Sequence, residues 1–169
     1  MKKYLVTILI YLALLGCENP FAPKLINIDD QTSTIITDQK SPEDVLTNFR
    51  YAYVFKDSLI YSDLLDSNFA FISKNYGTTP PTDIYWGRDV DIKTTVGLFR
   101  HFHTLELNWG STLVNEAIDS TEWEIKLTFQ LTLDGGREIP TLKGEAIFNF
   151  RKKPSGIWKI IRWEDLSSF

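Results

Sequence analysis

Trp123-Glu124-Ile125-Lys126-Leu127-Thr128-Phe129-Gln130-Leu131-Thr132-Leu133 sets six apolar residues in strict alternation with five polar ones. Successive side chains of a strand point to opposite faces, so this run predicts a strand with one buried face. Asp134-Gly135-Gly136 follows with the residue types of a hairpin turn. Beyond it Gly144, Ala146, Phe148 and Phe150 alternate with Glu145, Asn149 and Arg151, and Ile147 is the apolar exception. Pro154-Ser155-Gly156 then turns the chain into a last strand, Ile157 to about Glu164. On the other side, Thr104 to Ile118 predicts one long strand that Gly110 can interrupt. This half of the chain reads as an antiparallel sheet.

The half before it is helical. Ser41-Pro42-Glu43-Asp44 places Ser at an N-cap, Pro at the first helical position and Asp at the third, a capping box. Val45, Leu46, Phe49, Ala52 and Tyr53 then recur at helical spacing. Lys56-Asp57-Ser58 breaks that pattern and caps a shorter second helix carrying Leu59, Ile60, Leu64 and Leu65, which Asp66-Ser67-Asn68 ends. Phe69 to Ile72 predicts a short strand, followed by a loop through Gly77 and Pro80-Pro81 that ends near Tyr85-Trp86-Gly87. A third helix is expected from about Asp89 to His103, with Val96 and Phe99 each within about 40° of Ile92 on one face. The order is helix, helix, strand, helix, then strands: an α+β layer with helices on one face of a sheet.

The first residues carry an address. Lys2 and Lys3 form a positive region, Tyr4 to Leu15 an apolar one, and Gly16 a small residue before Cys17. About twelve apolar residues make a helix of roughly 18 Å, too short for a hydrocarbon core of about 30 Å. Leu14-Leu15-Gly16-Cys17 resembles the lipobox of bacterial lipoproteins. The resemblance implies a signal peptide over residues 1–16, a diacylglycerol on Cys17 and attachment to a membrane of the cell envelope. The other reading of Cys17 is a buried thiol in an uncleaved anchor. Cys17 is the one cysteine of the chain, so once lipidated it leaves no thiol for a disulfide, a metal site or a nucleophile. Cleavage would take two lysines and no acid from a net charge of −4, leaving −6. No basic block offers a nucleic-acid footprint. Residues 17–40 read as the lipidated cysteine and a flexible tether, and 41–169 as one domain. Phe21, held between Pro20 and Pro23, gives that tether an alternative role as a docking segment.

Ser41-Pro-Glu-Asp-Val-Leu, then Tyr51-Ala-Tyr before Lys56-Asp57, resemble the first two helices of the nuclear transport factor 2-like (SnoaL-like, cystatin-like cone) superfamily. Asn68-Phe-Ala-Phe resembles the strand that follows them, and Phe148-Asn-Phe-Arg-Lys-Lys-Pro-Ser-Gly-Ile-Trp-Lys-Ile-Ile-Arg-Trp-Glu-Asp its closing hairpin. The resemblance spans about Ser41 to Asp165. It implies three helices packed on a strongly curved, mainly antiparallel sheet that forms a cone, whose open end can hold an apolar ligand. Members include isomerases, dehydratases, transport factors and uncharacterised lipoproteins, so the fold does not name a function. The catalytic members add an acid/base group, often His with Asp, or Asp with Tyr and Arg.

Counted at 100° per residue from Ile92, His103 falls at about 20°, on the apolar stripe, and His101 near 180°. His103 is therefore both a candidate general base looking into the cone and a residue closing a helix C-terminus. Glu164 and Asp165, at the end of the last strand, are further catalytic candidates at the rim. Asp63, Asp66, Asp89 and Asp91 read as turn or helix-end residues, the last two as cap and dipole groups. Tyr53, Trp86, His103, Trp123 and Trp163 are the candidate ligand-binding set, with Tyr61 and Trp109 as further aromatics that could line a pocket. Arg162 alternates with Ile160 and Trp158, which points it toward the helices and calls for a carboxylate partner. Histidines at i and i+2 of a helix diverge, so no metal is expected, and no phosphate loop, Gly-x-Ser-x-Gly elbow or HExxH motif implies a cofactor or hydrolytic site.

Three readings follow: a lipid-anchored binder of an apolar small molecule or an envelope protein, a SnoaL-like isomerase or dehydratase, and a dimerisation or assembly module. What lines the cone separates them. The anchor has its own test: Cys17→Ser is expected to end incorporation of a labelled fatty-acid analogue, and continued labelling of the variant would overturn the lipidation reading.

Overall fold

The computed structural model describes residues 36–134, 138 and 141–167 of the chain. Cys17, the signal region and the tether to residue 35 lie outside the described residues, as do Gly135 and Gly136 of the hairpin turn. Helix α1 runs Pro42–Phe55 and α2 Ser58–Leu64. Strands β1, Leu65–Asn75, and β2, Thr82–Gly87, precede α3, Arg88–His101. Strands β3, Leu105–Ala117, β4, Glu122–Leu133, β5, Leu142–Lys152, and β6, Trp158–Asp165, complete a six-stranded sheet in the order β2-β1-β6-β5-β4-β3. Among the described residues, β1 and β6 are the one pair that runs parallel. The architecture is α+β, three helices on one curved, mostly antiparallel sheet.

Local signals set the helix starts. Ser41 Oγ accepts from Asp44 N at 3.1 Å while Asp44 Oδ2 accepts from Ser41 N at 3.1 Å, the expected capping box. Lys56 ends α1 in the left-handed region at φ 57°, and Asp57 caps α2 by accepting from Leu59 N and Ile60 N. The apolar stripe of α1 packs as a unit: Val45, Leu46, Phe49, Ala52 and Tyr53 are all buried. Phe49 sits at the centre, its ring 4.9 Å from Tyr53, 5.4 Å from Tyr61, 5.7 Å from Trp109 and 5.5 Å from both Phe148 and Trp163. Truncating such a residue to alanine removes about 3–5 kcal/mol.

Irregularities bend the sheet. In β3 the register against β4 shifts twice, between Trp109 and Thr112 and between Thr112 and Val114. Gly110 lies at the first shift, where a Cβ would come within 2.2 Å of Thr128 Oγ1. Extra residues of this kind increase local twist and curl a sheet. In β6 the register skips Ile161: Phe150 pairs with Ile160, and Asn149 with Arg162. That bulge reverses the alternation, so Trp158 and Ile160 face inward, then Trp163 and Asp165. Arg162, expected toward the helices, is exposed instead and pairs with Glu164 at 2.5 Å. The outward face of the sheet carries cross-strand pairs, Lys126–Glu145 at 2.7 Å and Arg151–Glu122 at 2.6 Å.

Four expectations are corrected. Residues 65–68, read as the end of a helix and a break, begin β1, and Thr82–Gly87, read as loop, pairs with β1 from Ala70↔Gly87 to Asn75↔Thr82. The third helix ends at His101, and Phe102 takes extended backbone with ψ 138°. Residues 37–40, assigned to the tether, contact the fold: fully buried Asn48 accepts from Thr37 N at 2.8 Å and donates to Thr37 O at 3.0 Å. Gln39 O accepts from Trp158 N at 2.8 Å.

Removing those residues would leave the Asn48 amide buried without partners, a loss of about 1–3 kcal/mol. A chain starting at Ser41 is therefore expected to melt at least about 4 °C below one starting at Ile36. Coincident melting curves by circular dichroism would show that residues 36–40 contribute nothing.

Candidate functional site

The concave face of the sheet and the helices line an open cavity of about 170 Å³. Eleven of its twelve lining residues are apolar or aromatic, among them Phe49, Leu107, Trp109, Phe129 and Leu131, and Asp165 supplies the one carboxylate. Asp165 Oδ1 accepts from Ser167 N at 2.9 Å, which fixes the side chain at the end of β6. Ser167 lies against β5 at Gly144, where a Cβ would meet Ser167 Cβ at 2.6 Å, so glycine is what lets the chain end cross there.

A second lobe of about 110 Å³ shares Tyr53, Leu98 and Trp163 with the first and is completed by Phe71, Trp86, Asp91, Thr94 and Thr95. Asp91 is the polar centre, with 2 % of its surface exposed. Tyr61 donates its hydroxyl to Asp91 Oδ2 at 2.5 Å, and Trp86 Nε1 donates to Oδ1 at 2.9 Å. Three elements make this cluster. Asp91, Thr95 and Phe99 lie at i, i+4 and i+8 on the buried face of α3, α2 brings Tyr61, and β2 brings Trp86, stacked on Phe71 at 4.3 Å.

Burial pushes the Asp91 carboxyl above its ordinary value of 3.8, against the pull of the Tyr61 and Trp86 donors. It also lifts the Tyr61 and Tyr53 hydroxyls well above the usual phenol range, and the charge of Asp91 adds to both shifts. Both tyrosines stay protonated at any physiological pH.

Of the expected ligand-binding set, Tyr53 and Trp163 line both lobes and Trp86 the smaller one. Trp109 lines the larger, anchored by Nε1 donating to Leu46 O at 3.1 Å. Tyr61 lies fully buried behind Asp91. Trp123 does not reach the cavity: it sits at the other end of β4, its Nε1 on Asn115 Oδ1 and its ring edge-on to Trp158 at 6.4 Å. His103 is corrected as well. Because α3 stops at His101, the helical count does not reach His103, which is exposed and borders a surface groove with His101 and Asp134. Its carbonyl accepts from Lys56 Nζ at 2.9 Å, which ties the end of α1 to the chain after α3. Of the two rim carboxylates, Asp165 faces the cavity, and Glu164, on the outward face, pairs with Arg162.

Asp63 and Asp66 pair with Lys159 at 2.9 Å and Lys153 at 2.7 Å, and Asp89 is exposed. Asp91, read from sequence as a cap residue, is the functional candidate that reading missed. Its signal was the i, i+4, i+8 spacing with Thr95 and Phe99. Among the described residues, no three His, Cys, Asp or Glu side chains converge as metal ligands, and no helix is long and apolar enough to cross a membrane.

The fold matches solved structures at low sequence identity. A candidate scytalone dehydratase from Novosphingobium aromaticivorans superposes with a TM-score of 0.62 at 16 % identity, over 85 % of this chain and 87 % of that one. An uncharacterised protein with a cystatin-like fold from Caulobacter vibrioides gives 0.60 at 11 % identity, over 75 % and 87 %. An NTF-2 like protein of unknown function from Shewanella oneidensis gives 0.57 at 13 % identity, over 73 % and 93 %. No protein-family model and no curated protein sequence matches the chain. The fold is the cystatin-like, nuclear transport factor 2-like cone that the sequence resembles.

The raised carboxyl of Asp91 carries a stability prediction with a definite sign. The folded state holds this proton more tightly than the unfolded state, so its contribution falls as pH rises from about 4, where the unfolded carboxyl ionises first. Asp91→Asn keeps the shape, and Tyr61 can turn to accept from the new amide. The melting temperature of the variant minus that of the native protein is expected to increase from pH 4 to pH 8. A difference that stays flat over that range would refute the assignment.

Proposed function

We propose that this chain is a lipid-anchored protein of the bacterial envelope whose cone binds a small apolar or amphipathic molecule without converting it. The observation that carries the binding reading is the cavity, open and almost wholly apolar where a core would be filled. Its size bounds the ligand. A dry cavity of about 150 Å³ accepts one benzene ring, so about 170 Å³ suits a single ring or a short branched chain. That is below the roughly 300 Å³ at which drug-sized ligands begin. Anchoring and envelope location rest on the first seventeen residues, where two acyl chains on Cys17 would hold the protein stably. The outward face of the sheet carries the ion pairs Lys126–Glu145 and Arg151–Glu122, charged features that do not by themselves favour the assembly reading.

A second reading, proton transfer by an isomerase or dehydratase, is favoured by one feature: Asp165 is a carboxylate fixed at the wall of an apolar cavity. The dehydratase name of one structural neighbour agrees with that chemistry but belongs to that protein.

Native mass spectrometry of the purified mature protein, followed by extraction and identification of bound small molecules, tests the proposal. The native protein is expected to retain an apolar compound of about ten heavy atoms. Leu131→Trp, which fills the cavity from a half-buried position, is expected to lose it at little cost in melting temperature. Retention of the compound by the filled variant would overturn the site. Conversion of a close analogue by the native protein, lost in Asp165→Asn and kept in His103→Gln, would replace binding by catalysis.

A further inference from the structure

Building on the reading that the cone binds small molecules, we infer that its smaller lobe receives an ammonium group: the ligand is an amphipathic amine whose positive end sits against Asp91 among Tyr53, Phe71, Trp86 and Trp163, with its apolar part in the larger lobe. The charge pattern leads there. The carboxylate of Asp91 is 2 % exposed, yet its two hydrogen-bond partners, Tyr61 and Trp86, are neutral donors. Among the described residues no lysine, arginine or histidine forms an ion pair with it, and none lines either lobe. The other titratable side chains lining the lobes are Tyr53, whose raised phenol stays neutral, and the acid Asp165, so neither supplies a positive charge. Buried charges are otherwise paired. A carboxylate offers about four acceptor positions, and two are in use here.

The walls favour the same partner. Four aromatic side chains border the lobe together with the carboxylate. Aromatic rings grouped around a small space attract alkylammonium ions through their quadrupoles, most strongly where water is excluded. The lobe, at about 110 Å³, is smaller than the single-ring cavity beside it and is matched to a headgroup such as trimethylammonium. A carboxylate or phosphate ligand would meet Asp91 and Asp165 with no countercharge. Tyr53, Leu98 and Trp163 wall both lobes, so the two lie side by side, with the proposed headgroup in one and the attached apolar group in the other.

Isothermal titration calorimetry of the mature protein at pH 7.5 tests this with benzyltrimethylammonium and its uncharged carbon isostere, neopentylbenzene. The cation is expected to bind at least about tenfold more tightly than the isostere. Asp91→Asn is expected to erase most of that preference while leaving the isostere bound. Phe71→Leu, which keeps the charge and the apolar character but removes one ring, is expected to reduce it severalfold, and it serves if the Asn variant does not fold. Equal affinity for the two compounds would overturn the ammonium inference and leave the apolar-binding reading standing. Binding of neither would overturn both.

Discussion

In β6, one residue more than β5 can pair decides what the cone contains. Strict alternation from Trp158 and Ile160 would turn Arg162 and Glu164 toward the helices and Trp163 and Asp165 toward solvent. The interior would then take an arginine and a glutamate in place of Trp163 and Asp165, and burying such charges is costly. The bulge at Ile161 exchanges the sets. Trp163 then stacks on Phe148 at 5.7 Å with an interplanar angle of 18° and meets Phe49 and Phe71 edge-on. It becomes the wall common to both lobes, and Asp165 becomes the carboxylate of the larger one. Arg162 and Glu164 meet outside, where a partly exposed pair costs little. The contributions of Trp163 and Asp165 to the cavity lining follow from that single extra residue.

The parts of the fold legible in the sequence are those where hydrophobicity and burial coincide. The stripe from Val45 to Tyr53, the capping box at Ser41 and the alternation from Trp123 to Leu133 each carry a period that one face of the element obeys. The misreadings arise where the two part company. Strand β2 is a half-exposed edge strand of six residues whose order comes from pairing with β1, a partner that no local pattern reveals. In α3 the buried positions include Asp91 and Thr95, which hydrophobicity assigns to solvent, and the partners of Asp91, Tyr61 and Trp86, lie on other elements. His103 was carried into the cone by a helical period that stops two residues earlier. The β6 bulge left no trace in composition, since Ile161 suits either face. Tyr53, Trp86, Trp163 and Asp165 were reachable because an aromatic or a rim carboxylate is a candidate wherever the cone is expected.

The cavity and the buried carboxylate also bear on stability. An apolar pocket left unfilled gives up the packing that a filled core would make. Domains of this kind are stable by about 5–15 kcal/mol in all. Filling the space would be simple: Leu131, Leu142 and Ala146 line it, and larger side chains on any of them would close it. Asp91 adds a second cost, because a neutral residue at its place would need no desolvation of charge. With Cys17 the only cysteine, no disulfide within the chain can offset either cost. The aromatic cluster around Phe49 does so instead, joining α1 and α2 to β3, β5 and β6 through five ring contacts beside the cavity. A fold that packs this tightly around Phe49 and leaves space next to it gives up stability locally, at Asp91 and along the wall shared by the two lobes. Such concessions fall where a protein meets its ligand.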